Sequence, residues 1–378
     1  MNENQQGLYT NITYFKGLNT LRFFAAYLVV IHHSESMKLK NAIGSLGSLS
    51  LLQNGGNAVT FFFVLSGFLI TYILLKERKN TETVKVKNFY RKRVLRIWPL
   101  YFLLVFLGAV IIPFLIQQFQ IDYKVPYTLS EVWLYFLLFF PGLVTFYYGH
   151  HMLEPLWSIG VEEVFYLIWA PLFKFIRKNI LGLLIGVIVV KALLSIIPFF
   201  IDMPDLYTFL VNMLKFEAMA VGGLGAYFIF RAKRNLNTLY CYKKPVQVIV
   251  YLILFIFIIF DTNILYPFWD VVFETPVLSP LIVNFLFLYL IVGVSMISGN
   301  IIKLENKFFS YLGEISYGIY MYHITVISAV ILLLKKLPVS FGFYPRNILF
   351  YVLVTVGTIL VAHLSKKYFE NYFLRMKK

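Results

Sequence analysis

GLNTLRFFAAYLVVIHH, residues 17–33, decides the architecture of this chain. Its middle is apolar enough for lipid, yet an arginine stands near one end and two histidines at the other. Ionisable groups at membrane depth face a bundle interior or a water-filled cavity, because lipid offers them no partner. Arg22 and His33 are 11 residues apart, which brings them to within about 20° of one line on a helix. At ~1.5 Å per residue, His33 lies roughly 16 Å further along the axis. An imidazole held in a low-dielectric tunnel can take a proton from a hydroxyl nucleophile. The plainer alternative is that Arg22 snorkels and His33 bonds to a neighbouring helix. His32 points about 100° away and reads as packing or interfacial.

The rest of the chain repeats this apolar character. Of 378 residues, 60% are hydrophobic and 14% charged, against roughly 25% charged in a soluble domain. Apolar runs long enough to cross a bilayer recur from end to end. They are read near 17–34, 57–76, 94–116, 157–174, 179–201, 208–230, 246–266, 279–299, 308–334 and 346–366. The expected fold is all-α: a polytopic membrane helix bundle of about ten transmembrane helices, forming one domain over 1–378. The apolar stretch 129–148 is the doubtful eleventh. With both termini cytoplasmic and this stretch not crossing, 26 basic residues fall on the cytoplasmic side and 6 on the outer side. If it crossed, the basic loops Arg231–Lys244 and 366–378 would face outward, against the positive-inside tendency. It therefore reads as re-entrant or interfacial.

The net charge of +16 does not point to nucleic acid, because the basic residues sit at helix ends. Asp202, Asp205, Asp261, Asp270 and Glu274 fall in outer loops, as do Lys38 and Lys124. The single cysteine, Cys241, excludes an internal disulfide and a cysteine-based metal site. The polar start MNENQQGLYTNITYFKG lacks the features of a cleaved signal peptide.

Three further segments place polar groups at membrane depth. FYRKRVLRIWPLY, residues 89–101, carries Arg93 and Arg96 on one face. Arginine forks suit phosphates, although positive-inside anchoring explains part of this cluster. In EPLWSIGVEEVFYLIWAPL, residues 154–172, Glu162 lies in line with Ser158 and Tyr166, while Glu163 is rotated away. Glu162 could orient a histidine or bind a sugar hydroxyl, or simply cap a helix N-terminus. In SYLGEISYGIYMYHITVI, residues 310–327, Ser316, Tyr320 and His323 fall at i, i+4 and i+7. That stripe is a polar path or a hydrogen-bonded helix interface. Lys215 and Glu217 can pair with each other or with neighbouring helices. His150 and His151 lie in an outer loop, and their surroundings do not suggest a metal site.

At these segments the chain resembles the acyltransferase-3 family of bacterial membrane O-acyltransferases. Residues 17–33 are similar to its first-helix motif, TFFFVLSGFLIT to its second-helix signature, and RKRVLRIWPLY to its paired-arginine motif. LWSIGVEEVFYLIWAPL resembles its Trp-Ser…Val-Glu block, and LGEISYGIYMYHITV its late Ser-Tyr…His block. Five blocks in order over nearly the whole chain carry the resemblance. It implies ten helices, an acyl-CoA donor (most often acetyl-CoA) and a carbohydrate acceptor. It also implies a multi-pass protein of the bacterial cytoplasmic (inner) membrane. His33 becomes the catalytic histidine with Glu162 beside it, and Arg22, Arg93 and Arg96 the donor-binding arginines. Ser316, Tyr320 and His323 form the acceptor side or polar path. No permanently bound cofactor or metal is expected, and no nucleic-acid partner. Family members commonly place an aspartate three residues before the first-helix arginine, where this chain has Asn19. Some members carry a soluble domain after the last helix, and none is expected within these 378 residues.

The rival reading is a transporter of polysaccharide or lipid-linked sugar, which would also be polytopic, aromatic and basic inside. Such proteins often show two related halves, and no such symmetry is visible here. A polyprenyl-dependent glycosyltransferase would usually need acidic residues in a sizeable outer loop and would ignore acyl-CoA, and an assembly subunit would have no need of an arginine and a histidine aligned in one span.

Overall fold

The computed structural model describes residues 7–47, 49–121, 125–259, 276–336 and 342–377. Among them there are helices and turns and no β-strand. Asp261, Asp270, Glu274, Lys124 and the far end of the 246–266 span lie outside the described residues. The α-helices are α1 (Leu18–Lys40), α2 (Gly55–Thr81), α3 (Val86–Phe106), α4 (Ile112–Gln118), α5 (Leu129–Leu137), α6 (Pro141–Tyr148), α7 (Trp157–Phe175) and α8 (Ile180–Ile196). They continue with α9 (Asp205–Met213), α10 (Phe216–Arg231), α11 (Lys244–Ile259), α12 (Leu278–Met296), α13 (Lys307–Glu314), α14 (Ser316–Lys336), α15 (Phe343–Ser365) and α16 (Asn371–Arg375).

Eight continuous helical stretches among the described residues are long and apolar enough to cross a membrane. They are Gly55–Thr81, Val86–Gln118, Glu154–Phe175, Ile180–Phe199, Asp205–Arg231, Leu278–Met296, Ser316–Lys336 and Phe343–Arg375. The first expected span, 17–34, is helical from Leu18 onward as α1. It is not among the eight, because Asn19, Arg22, His32, His33 and Glu35 dilute its apolar run. Lys244–Ile258 is apolar but shorter.

The stretch 129–148 is two short helices. Phe139 adopts a left-handed φ of 61°, and Pro141, at the start of α6, has no N–H to continue a helix. Nine and eight residues reach roughly 13 Å, well short of a ~30 Å hydrocarbon core.

Contacts divide the chain into two compact units. The first comprises Met1–Ala25, Asn54–Val86 and Ile168–Glu314. Its centre is the packing of α2 on α10, made possible by small residues. A Cβ at Gly67 would overlap the Met219 carbonyl, and one at Gly222 the Val64 carbonyl. Lipid tails give helices no hydrophobic reason to associate, so close backbone approach of this kind supplies the attraction. Trp169 Nε1 donates to Thr71 Oγ1 at 3.0 Å in the same interior.

The second unit comprises Ala26–Gln53, Lys87–Leu167 and Ile315–Lys378. Here α14 packs on α15, with Gly318 against Ala362 and Gly357 against Val326. Two π-helical turns interrupt its long helices, at Leu107–Ile111 and Lys366–Glu370. Pro99 lies inside α3, and one turn of 3₁₀ helix, Glu154–Leu156, leads into α7.

Gly222→Val should overpack the α2–α10 contact and cost about 1–3 kcal/mol or more. Gly56→Ala, at a helical site with nothing within 4 Å, should be neutral or slightly stabilising. Thermal unfolding of the purified protein in detergent compares the two.

Candidate active site

The second unit brings the two most informative histidines together. His33, on α1, is half-buried, and His323, on α14, has no solvent exposure. His323 Nε2 lies 3.1 Å from His33 Nδ1, and the ring centroids are 4.9 Å apart. His33 Nδ1 is also 3.0 Å from the Val29 carbonyl, and His323 Nδ1 meets the Tyr320 carbonyl. A carbonyl only accepts, so both Nδ1 atoms carry the hydrogen in the neutral rings. His323 Nε2 is then a lone pair that receives His33 Nδ1–H, and His33 Nε2 is left as a lone pair of its own. A general base requires that tautomer and a fixed ring.

The polar path continues from α14 to the start of α7. Tyr320 Oη and Ser158 Oγ are 2.8 Å apart, and each donates within reach of the Pro155 carbonyl, at 2.9 and 3.3 Å. Ser316 is buried at the first turn of α14. His32 stacks edge-on to His33 at 5.2 Å and feels the charge of Glu154. His150 Nδ1 sits 2.8 Å from Glu154 Oε2. The spacing of Tyr320 and His323 was legible in advance. Their pairing with Ser158 and His33 was not.

A second cluster lies along α3 and α7. The Arg93 guanidinium rests on the rings of Phe89 and Tyr166 at 5.6 and 5.5 Å. Arg96, Glu162 and Glu163 are its charged neighbours. Glu162 Oε2 accepts from Tyr166 at 2.9 Å, and Glu163 Oε2 accepts from Trp98 Nε1 at 2.8 Å. Among the described residues neither arginine forms a salt bridge. The histidine bonded to His33 is thus His323, while Glu162 stands with the arginines and Tyr166. Arg22 belongs to the first unit, where it is half-buried about one turn from the start of α1. Among the described residues no group of three or more His, Cys, Asp and Glu is placed to hold a metal ion.

The profile of the acyltransferase domain family matches residues 15–365. The chain belongs to that family. SACOL0978 of Staphylococcus aureus (strain COL), whose name describes it provisionally as an O-acetyltransferase, is 25% identical over 382 residues, covering 97% of this chain and 58% of the relative. The O-acetyltransferase OatA of S. aureus (strain NCTC 8325 / PS 47) is 30% identical over 200 residues, covering 50% of this chain and 30% of the relative. The chain therefore spans less than two thirds of the length of these curated relatives. No solved structure matches it.

The acyltransferase domain holds the far end of α1 with a buried ion pair that the loop assignment of Lys38 missed. Lys38 Nζ is 2.6 Å from Glu35 Oε1, with side chains 0% and 1% exposed. Glu35 also accepts from Ser45 Oγ at 2.8 Å, the Leu46 N–H at 2.6 Å and the Tyr351 hydroxyl. Lys38 donates to Asn347 and lies over the Phe350 and Tyr351 rings. Glu35 and Lys38 stand at i, i+3 in the sequence, which was the available signal. Asn347 and Tyr351, on α15, complete the site from some 300 residues away.

In the loop before α7, His151 Nδ1 accepts from the Leu153 N–H at 3.2 Å, and Nε2 faces Thr145 Oγ1 at 3.3 Å. Burial, and then repulsion from His150, push this imidazole down to about 4.

Lys38→Met should leave Glu35 a buried, unpaired charge and cost about 3–5 kcal/mol. Glu35→Leu with Lys38→Met should recover only part of that, because Ser45, Leu46 and Tyr351 lose their acceptor. Thermal unfolding of the single and double variants reads both. For His151 the folded pKa lies below the unfolded one, so its contribution is full above pH ~6.5 and is lost as pH falls towards 4. His151→Gln should flatten the unfolding temperature over that window.

Proposed function

We propose that this chain is an integral-membrane O-acyltransferase. It moves an acyl group, acetyl in the first instance, from acyl-CoA to a hydroxyl of a cell-surface or lipid-linked carbohydrate. The observation that carries this reading is the 3.1 Å contact between His33 and His323, which leaves a lone pair on an oriented imidazole. Family membership and the names of the relatives support the reaction class. Arg93 and Arg96, which form no salt bridge among the described residues, support a phosphate-bearing donor.

His33 Nε2 takes the proton of the acceptor hydroxyl as its oxygen attacks the thioester carbon. The C–S bond breaks, and the departing thiolate takes that proton from the imidazolium. The products are an ester and CoA thiol, and the base is restored. Throughout, His33 Nδ1–H stays on Val29 O and His323 Nε2, which hold the ring and stabilise its positive charge. An acyl-histidine route uses the same Nε2 as nucleophile. Water must be kept from the thioester, and a buried, protein-lined site does this.

Arg93 and Arg96 hold donor phosphates, and Arg22 is assigned with them on the family resemblance alone. Tyr320, Ser158 and Ser316 offer hydroxyls to the acceptor. Glu162 helps fix Tyr166 and balances Arg93. The protein lies in the bacterial cytoplasmic membrane with both ends of the chain and most basic residues on the cytoplasmic side, as the 26-to-6 distribution favours.

His33→Ala should abolish transfer and spare CoA binding. Arg93→Ala should raise KM for acyl-CoA, and His323→Ala should lower kcat on the order of 10²-fold or more. The measurements are alkali-labile acyl content on surface glycan at matched membrane levels, and CoA affinity of the purified variants. Near wild-type transfer by His33→Ala sinks the catalytic assignment. Unchanged esters with altered amounts of surface polymer favour transport instead.

A further inference from the structure

The segment after α15 returns to the start of α3 and places more positive charge beside the two arginines. Arg91 Nη2 donates to the Met376 carbonyl at 2.7 Å, which ties α16 to the first turns of α3. Lys377 follows and is half-buried. The charged groups acting on it are Arg96, Arg93 and Lys92 of α3 and Lys366 of the π turn. The nearby carboxylate, Glu370, is buried and already engaged, 3.8 Å from Lys366 Nζ and 3.3 Å from Ser365 Oγ. Among the described residues Arg93 Nε, sealed from solvent, has no hydrogen-bond partner. Glu163 is held by Trp98 and Glu162 by Tyr166.

Plain membrane anchoring does not account for this. Anchoring lysines and arginines splay into headgroups and water, where their mutual repulsion is screened. Here several cations are gathered on two elements. Burial, and then the repulsion of Arg96, Arg93, Lys366 and Lys92, push the Lys377 amine down to about 8. A multiply charged anion would offset that repulsion and raise the amine again.

We propose that Lys377 and Lys366 complete, with Arg93 and Arg96, a binding site for a phosphate-bearing ligand, and that the ligand is the nucleotide phosphate portion of acyl-CoA. The assignment to CoA rests on the function proposed above. The same phosphate chemistry is available from the headgroup of an anionic lipid. Lys377 and Lys366 are binding residues in this scheme and take no part in acyl transfer.

The test uses the full chain in nanodiscs of zwitterionic phosphatidylcholine, with CoA affinity measured at pH 7 and pH 9. Lys377 is already charged at pH 7 and about nine-tenths neutral at pH 9, so binding at pH 9 must take up a proton. Wild-type affinity should therefore fall about tenfold between the two. Lys377→Gln should bind CoA about tenfold more weakly at pH 7 and lose that slope. Lys377→Arg should keep the affinity and also lose the slope, which a purely structural role would not produce. Lys366→Gln should weaken CoA binding and raise KM for acyl-CoA more than it lowers kcat. If Lys377→Gln leaves affinity and slope unchanged while Arg93→Ala weakens binding, the lysine site is refuted and the donor reading stands. If Arg93→Ala, Lys366→Gln and Lys377→Gln all leave CoA affinity unchanged, the donor reading fails as well. Labelled phosphatidylglycerol that loses binding in Lys377→Gln, with CoA affinity intact, overturns CoA in favour of lipid.

Discussion

Two imidazoles share a hydrogen bond within the second unit, and the surrounding backbone dictates how they share it. Val29 and Tyr320 each present a carbonyl to an Nδ1 atom. Each carbonyl accepts and cannot donate, so each fixes a tautomer. That leaves one ring accepting from the other and the second ring with a lone pair at Nε2. The partners come from α1 and α14, 290 residues apart. Everything that holds these helices in register therefore holds this pair of rings.

Several features act to that end. The Glu35–Lys38 pair stands within about one and a half turns beyond His33 and is closed by Tyr351 and Asn347 of α15. It joins the far end of α1 to the helix that packs on α14. Ser158 and Tyr320 meet over the Pro155 carbonyl, so the turn leading into α7 is joined to α14 as well. In an apolar bundle each unmade hydrogen bond is costly, so these links specify one arrangement. The α2–α10 contact of the first unit works differently, through glycines that admit a neighbouring backbone.

Much of the architecture was legible because hydropathy and helical period are local. The apolar runs mark the helices, and the basic loops argue against a crossing at 129–148, where a left-handed Phe139 and a proline break the chain into two short helices. The i, i+4, i+7 stripe of Ser316, Tyr320 and His323 could be read directly. Lys38 could not, because a lysine near a helix end looks like an interfacial anchor until Glu35, Asn347 and Tyr351 are seen around it. Lys377 was likewise one of several basic residues in a terminal cluster until Met376 was found on Arg91.

The sequence by itself determined that this is an apolar, many-helix chain with ionisable groups aligned on particular faces, since 3.6 residues per turn fixes which side chains share a face. It also carried the ordered motifs of the acyltransferase domain family. Tertiary structure alone decided which faces meet: His33 with His323, Ser158 with Tyr320, Arg91 with Met376, and Glu35 with Tyr351. Those pairings depend on how distant helices pack, and contacts spanning hundreds of residues leave no local periodic signature in the chain.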